Sequence, residues 1–308
     1  MEDVGKELTK IINSRGVSGR YHEMMQTVLE HPEVRQFIES HKEKLTQADI
    51  EKSFAKLYEF VQEKRKYETG DPTMIAPGYE PKLTLNFHFI DVTYVPTDEL
   101  LRQQKEEQIR NRVSALNMPK DIKRASIRNF EVTPGRSEAL EAALDFINGY
   151  EHEPKAFHKA LYLVGSFGVG KTYLLAAIAH ELAIKGFETT MVHFPTFAGE
   201  MKQAISSDQV GPKLDEVKRA PVLMLDDIGA DSMSAWIRDD ILGTILQYRM
   251  QEQLPTFFSS NFDWEGLEGH LTVSQKGDEE PLKAKRIMER VRYLSQEIWL
   301  TGDNRRQK

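Results

Sequence analysis

Gly165-Ser166-Phe167-Gly168-Val169-Gly170-Lys171-Thr172 stands between the apolar run Ala-Leu-Tyr-Leu-Val of residues 160–164 and the stretch Tyr-Leu-Leu-Ala-Ala-Ile-Ala-His-Glu-Leu of residues 173–182. The eight residues satisfy G-x-x-x-x-G-K-[ST] completely, and the flanks satisfy its context, a buried strand before and a helix after. Glycines in such a loop let main-chain N–H groups turn inward around a phosphate, and the positive end of the following helix adds to the cradle. Lys171 would supply a cation to the β- and γ-phosphates. Thr172 would place its hydroxyl on Mg²⁺, which retains most of its waters and needs few protein ligands. Residues 165 to 172 are therefore the candidate ATP site.

Downstream, Val222-Leu-Met-Leu225-Asp226-Asp227 reads as a buried strand ending in two carboxylates, where a parallel sheet presents its ligand groups. Asp226 is expected to hold magnesium through water, so Thr172 and Asp226 form the metal set. Asp227 is expected to orient or deprotonate the attacking water. Its side chain is one methylene shorter than the glutamate common at this place, so hydrolysis is expected to be slow. Phe257-Phe-Ser-Ser-Asn261 ends another strand in an amide. Should that strand lie between the other two, Asn261 would reach the γ-phosphate or the water. Arg286 and Arg290 fall one turn apart on a basic helix, where a guanidinium donated to a neighbouring subunit would make hydrolysis depend on assembly.

From residue 126 onward strands alternate with helices, the order that specifies a parallel sheet covered on both faces. Five strands are expected, at 160–164, 189–194, 221–225, 256–260 and 297–300, with helices at 171–185, 197–206, 234–251 and 283–294. The first 65 residues read as helices instead: Val4, Leu8 and Ile11; Tyr21, Met24, Met25 and Val28; Val34, Phe37 and Ile38 after Pro32; and a stripe of Ile50, Phe54, Leu57, Tyr58 and Val61. Residues 68–81 hold Gly70, Pro72, Pro77, Gly78 and Pro81 and read as a loop. Leu83, Leu85, Phe87 and Phe89 then alternate, and Ile90, Val92 and Tyr94 alternate in the opposite phase, which predicts a hairpin or bulge at 86–88. The expected organisation is an N-terminal domain at 1–97, a charged linker or exposed helix at 98–125 and an ATPase domain at 126–308.

Composition narrows the partners. At 308 residues the chain exceeds one ordinary core, and 40% hydrophobic with 29% charged residues supports folded domains. A formal charge of −7 opposes coating of DNA by bulk attraction, so any nucleic-acid contact must be regional. No apolar run approaches membrane-spanning length, and the acidic start lacks a secretory layout, so a cytoplasmic protein with no membrane partner is expected. Cysteine is absent from the sequence, which excludes disulfides and thiolate metal ligands.

In this order the four motifs resemble AAA+ ATPases of the helicase-loader and initiator clade. GSFGVGKTYLLAAIAHELA, APVLMLDDIGADSMSAWIRDDILGTILQYRM, LPTFFSSNF and AKRIMERVRYL resemble bacterial helicase loaders of the DnaI and DnaC type. The resemblance implies an AAA+ core of five parallel strands without a C-terminal lid, preceded by a small helical domain with a β-hairpin. It implies that the N-terminal domain grips the hexameric replicative helicase while the AAA+ domain binds ATP, Mg²⁺ and single-stranded DNA, self-associates, and acts with primosome proteins. It gives Lys171 and Thr172 the phosphate-loop roles, Asp226 and Asp227 the magnesium and water roles, Asn261 the sensor role, and Arg290 the finger role with Arg286 beside it. For DNA it points to the helix at 197–206 and Lys202, although Phe197 reads better as core.

Similar loaders carry a cysteine-rich zinc site between the N-terminal helices and the linker. Residues 66–79 hold no cysteine here, so no structural zinc is expected, with Pro72, Pro77 and the hairpin holding the shape instead. Three other readings compete: an IstB-like transposition helper ATPase, a small-molecule P-loop kinase, and a scaffold that binds ATP without hydrolysing it. The kinase would need an acceptor pocket and a basic lid, neither of which is evident.

Overall fold

A computed structural model describes residues 17–116 and 125–305, with two compact units at Met1–Lys105 and Glu106–Lys308. The expected helix around Val4, Leu8 and Ile11 lies outside the described residues. In the first unit, helices α1 (Val17–Glu30), α2 (Pro32–Ser40), α3 (Gln47–Lys52) and α4 (Phe54–Thr69) precede the antiparallel strands β1 (Tyr79–Asn86) and β2 (Phe89–Pro96). Pro32 occupies the first turn of α2, where its missing N–H costs nothing. The stripe read as one helix is broken at Ser53. A Thr46–Asp49 capping box starts α3 upstream of the break, and Ser53, fully buried, caps its C-terminus and accepts the Ile90 N–H at 2.9 Å. That bond ties the hairpin to the helices over a core of Val28, Val34, Phe54, Leu57, Phe60 and Ile90. The phase slip is a two-residue turn at Phe87 and His88, with Phe87 at φ 55° and its ring exposed.

The loop after α4 is held largely by polar bonds. Gly70 takes the left-handed C-cap position of α4, which a side chain would strain. The buried Glu63 carboxylate accepts the Ile75 N–H at 2.6 Å and pairs with Lys66 at 2.8 Å, and Lys66 also donates to the Thr73 carbonyl. Asp71 accepts from both the backbone and the hydroxyl of Thr73. An anion and its partner so placed fix a chain whose prolines restrict only φ.

In the second unit, after the end of α5 (Asp98–Asn111), the strands are β3 (Val113–Leu116), β4 (Ala160–Val164), β5 (Thr189–His193), β6 (Val222–Asp226), β7 (Thr256–Ser260) and β8 (Ser295–Trp299). They form one parallel sheet in the order β3-β5-β6-β7-β4-β8. Strands β4, β6 and β7 are buried throughout, which is why they read as continuous apolar runs. Helices α6 (Pro134–His152) and α7 (Lys171–Ile184) contribute Phe146, Ile147, Leu174 and Ile178 to one apolar layer. On the other face lie Phe197 and Met201 of α8 (Phe194–Ala204) and Ile245 and Leu246 of α10 (Gly243–Gln251), with α9 (Val210–Lys218) between them in sequence and α11 (Trp264–Thr272) and α12 (Pro281–Leu294) after them. Each large apolar side chain so buried contributes roughly 1.5–3 kcal/mol.

Two expectations change. The sheet has a sixth strand, β3, inside the stretch 98–125 read as linker, and Val113 to Leu116 pair with Thr189 to Val192 of β5. Four residues behind a polar helix carry too little apolar pattern to announce an edge strand. The helix expected at 234–251 opens into a π-helical segment at Ile237–Leu242 before α10. Phe197 is core at 2% exposure, whereas Lys202 on the same helix is exposed. Among the described residues no helix is long and apolar enough to cross a membrane.

Candidate nucleotide site

Strand β7 lies between β6 and β4, so the ends of the three strands that carry the motifs are adjacent. The chain leaves β4, crosses over β7 and β6 to β5, and returns strand by strand. Ligand groups gather where such a sheet reverses its order. A cavity of about 610 Å³ opens there, lined by the phosphate loop together with Asp226, Asp227 and Asn261.

Within the loop, Gly168 and Gly170 have φ of 78° and 105°, a backbone only glycine adopts without strain. Val169 is buried and anchors the loop to the core, whereas Phe167 is exposed. Gly165 donates its N–H to the Ser260 carbonyl at 3.3 Å, and a Cβ there would lie 2.1 Å from the Leu300 carbonyl oxygen. Lys171, 8% exposed, donates from Nζ to the carbonyls of Gly165 at 2.7 Å and Ser166 at 2.9 Å, and to Asn261 Oδ1 at 2.8 Å.

The acids are joined through one serine. Ser259 Oγ donates to Asp226 Oδ1 at 2.5 Å and accepts the Asp227 N–H at 2.9 Å. Thr172 Oγ1 donates to both oxygens of Asp226, at 2.9 and 3.1 Å. Burial pushes the Asp226 carboxyl above the usual carboxylate range; hydrogen bonds from Ser259 and Thr172 oppose the rise, and the neighbouring Asp227 charge adds to it. Asp227 has φ 61°, and its Oδ1 accepts from Asn261 Nδ2 at 3.3 Å while His193 Nε2 lies 3.9 Å from Oδ2. Asn261 thus touches the loop lysine through its oxygen and Asp227 through its nitrogen. The Thr172 hydroxyl and the Asp226 carboxylate, two hard oxygen donors in contact, fit a magnesium ion that keeps most of its waters.

The expected residues 165 to 172, Asp226, Asp227 and Asn261 are thus brought together. Arg286 and Arg290 are not: both lie on α12 beside Asp239 and Lys283, away from this cavity. Arg290 Nη1 donates to the Gly243 carbonyl at 3.0 Å where α10 begins, and Arg286 is exposed. Sequence reasoning passed over Ser259, His193, Arg136 and Arg305, which also line the cavity. Only Ser259 left a local signal, as a hydroxyl two residues before Asn261 on a buried strand.

The family model for the primosomal protein DnaI N-terminus matches residues 1–94, and that for IstB-like ATP binding proteins matches residues 86–308. The replicative helicase loader DnaI of Bacillus subtilis is 40% identical over 313 residues, covering 99% of each chain. The chain belongs to the DnaI family of replicative helicase loaders. A crystal structure of DnaI, 47% identical, covers 64% of this chain and 99% of its own with a TM-score of 0.55. That of a putative primosome component from Streptococcus pyogenes serotype M3, 45% identical, covers 66% and 100%, also with a TM-score of 0.55. As in the DnaI family, the second unit is an AAA+ ATP-binding domain.

Proposed function

We propose that this chain loads the hexameric replicative helicase onto single-stranded DNA under the control of ATP, gripping the helicase with residues 1–97 and binding nucleotide, DNA and further copies of itself with residues 126–308. The observation that carries the ATP control is the path Lys171–Asn261–Asp227. For Lys171 to meet the β- and γ-phosphates, its ammonium must leave Asn261 Oδ1. The freed amide then reorients, and its nitrogen releases or repositions Asp227. Nucleotide binding and water activation are in this way coupled through one side chain.

The main-chain amides of residues 165 to 170 hold the phosphates, and Thr172 and Asp226 would hold Mg²⁺, which would supply neutralising charge to them. Asp227 orients the attacking water, and its short side chain keeps turnover slow. Arg290, with Arg286 one turn away, reaches the γ-phosphate of an adjoining copy, so hydrolysis awaits assembly. Reaching across requires Arg290 to release the Gly243 carbonyl. Lys202 on α8 meets DNA phosphates, and primosome proteins join the assembly. The match to the DnaI N-terminus favours loading over the transposition-helper reading.

Size-exclusion chromatography of the protein with replicative helicase tests the division of labour. Lys171→Ala should co-elute with helicase as the wild-type chain does, yet fail to place it on single-stranded DNA. Helicase binding that requires Lys171 would overturn the assignment of grip to the first unit. Phosphate release should be slow in the isolated protein and should rise with helicase and DNA present; fast turnover by the isolated chain would contradict the role given to Asp227.

A further inference from the structure

Arg136, in the first turn of α6, is 2% exposed, yet its Nε and Nη1 have no hydrogen-bond partner among the described residues. Its guanidinium lies over the Phe130 ring at 3.9 Å from the centroid, and that ring stacks with Tyr173, the residue after Thr172. On its other side is the phosphate loop, where a Cβ on Gly170 would lie 2.8 Å from Arg136 Nη2. Arg136 also lines the nucleotide cavity. A second cation, Arg305, lines it too; its backbone N–H donates to the Gly168 carbonyl at 3.0 Å and its side chain pairs with Glu131. Burial lowers the Arg136 pKa from the usual arginine value and the Arg305 charge lowers it further, while Glu131 opposes both.

A buried guanidinium with open donors costs several kcal/mol in a fold that gains nothing else from it. A buried cation whose donors the fold leaves open therefore persists where a ligand supplies the acceptors. We propose that Arg136 binds the nucleotide directly, its guanidinium donating to the ribose and α-phosphate end, the part that ATP and ADP share. Position selects that end. Arg136 abuts Gly170, in the late part of the loop whose amides cradle the α- and β-phosphates, and it stacks on the Phe130–Tyr173 pair. The groups assigned to the attacking water and the γ-phosphate, Asp227 and Asn261, follow β6 and β7 instead. Phe130 fixes the guanidinium plane, so a planar, charged donor is presented to phosphate oxygens before they arrive.

The inference rests on the ATP reading of the cavity, and one set of titrations separates the two. Calorimetric titration of the full-length wild type, Arg136→Met and Arg136→Lys with ATP and with ADP, each with Mg²⁺, reads the contacts. Thermal melting of the same proteins without nucleotide reads the fold. Arg136→Met should weaken ATP and ADP alike by about tenfold to a hundredfold, the scale of charge-assisted bonds. Arg136→Lys should fall between the two proteins. Nucleotide-free Arg136→Met should melt at or above the wild-type temperature, because an unsatisfied buried cation has been replaced by an apolar chain of similar length.

Unchanged affinity for both nucleotides overturns the inference and leaves the ATP reading intact. Loss of ATP affinity alone also overturns it, by moving Arg136 to the γ-phosphate. A lower melting temperature in the nucleotide-free variant, or failure to fold, would show that Arg136 serves the fold and overturns it equally. Absence of nucleotide binding by the wild type defeats both readings.

Discussion

Arg249 and Arg136 are buried guanidiniums in the same α/β unit, at 0% and 2% exposure, and their surroundings are opposite. Arg249 Nε donates to Thr256 Oγ1 at 2.7 Å, Nη1 to the Lys218 and Ala220 carbonyls, and Nη2 to the Pro255 carbonyl at 2.7 Å. It closes the far end of α10 onto the starts of β6 and β7. Burial pulls its pKa down to about 9, which still leaves it charged at neutral pH. Arg136, at the end of the sheet where the phosphate loop lies, lines a cavity and leaves Nε and Nη1 without a partner among the described residues. A satisfied buried cation is therefore a device of the fold, and an unsatisfied one beside a cavity is a device of binding.

The largest effect expected from this contrast is on stability. Arg249→Met should destabilise the second unit by about 4 kcal/mol, because it strands several carbonyls in a buried place. All three tryptophans, Trp236, Trp264 and Trp299, lie in that unit, so urea unfolding followed by tryptophan fluorescence isolates the change. A loss below about 1 kcal/mol would break the comparison. Next, Lys171→Ala should weaken ATP by more than about a hundredfold in calorimetry while the melting temperature without nucleotide moves only a few degrees. A collapse of the nucleotide-free protein would place Lys171 with Arg249 instead.

Asp226→Asn should reduce the benefit of Mg²⁺ to ATP binding by about tenfold, measured as the ratio of affinities with and without the metal. An unaltered ratio would remove Asp226 from the metal set. The smallest effect concerns a third kind of buried cation, Lys64 in the first unit, held between Glu33 and Glu80 at 2.9 Å each. Burial disfavours its ammonium, but hydrogen bonds to Glu80 and Glu33 outweigh this and raise its pKa. The same bond to Lys64 lowers the pKa of Glu80. The Glu80 contribution is complete above its unfolded value near 4.5 and fades as pH falls through the lower folded value; that of Lys64 is complete below 10.5 and fades as pH rises through the higher one. Hydrogen exchange of residues 79–86, corrected for intrinsic rates, should lose protection on acidification in the wild type and lose less in Glu80→Gln.

The sequence made contiguous chemistry legible. Eight consecutive residues carry the phosphate loop, and Asp226, Asp227 and Asn261 each end an apolar run, so their strands and motifs could be read together. Groups made adjacent only by strand order or chain return stayed hidden. Ser259 matters because β7 enters between β6 and β4, and Arg136 because α6 begins against Gly170. Strand β3 was hidden for another reason: Val113-Ser-Ala-Leu is pinned by its partner β5 and not by its own pattern. The break at Ser53 was concealed by an apolar stripe that continues across it, and the organisation of 70–78 depends on a buried carboxylate that composition would assign to the surface.

Thr301 and Arg305 bond back to the Gly135 and Gly168 carbonyls, and Arg305 pairs with Glu131. Residues 166 and 174 positions apart are thus clasped beside the cavity, near opposite extremes of the AAA+ sequence. A pair of optical probes at 131 and 305 would report whether the two extremes stay together.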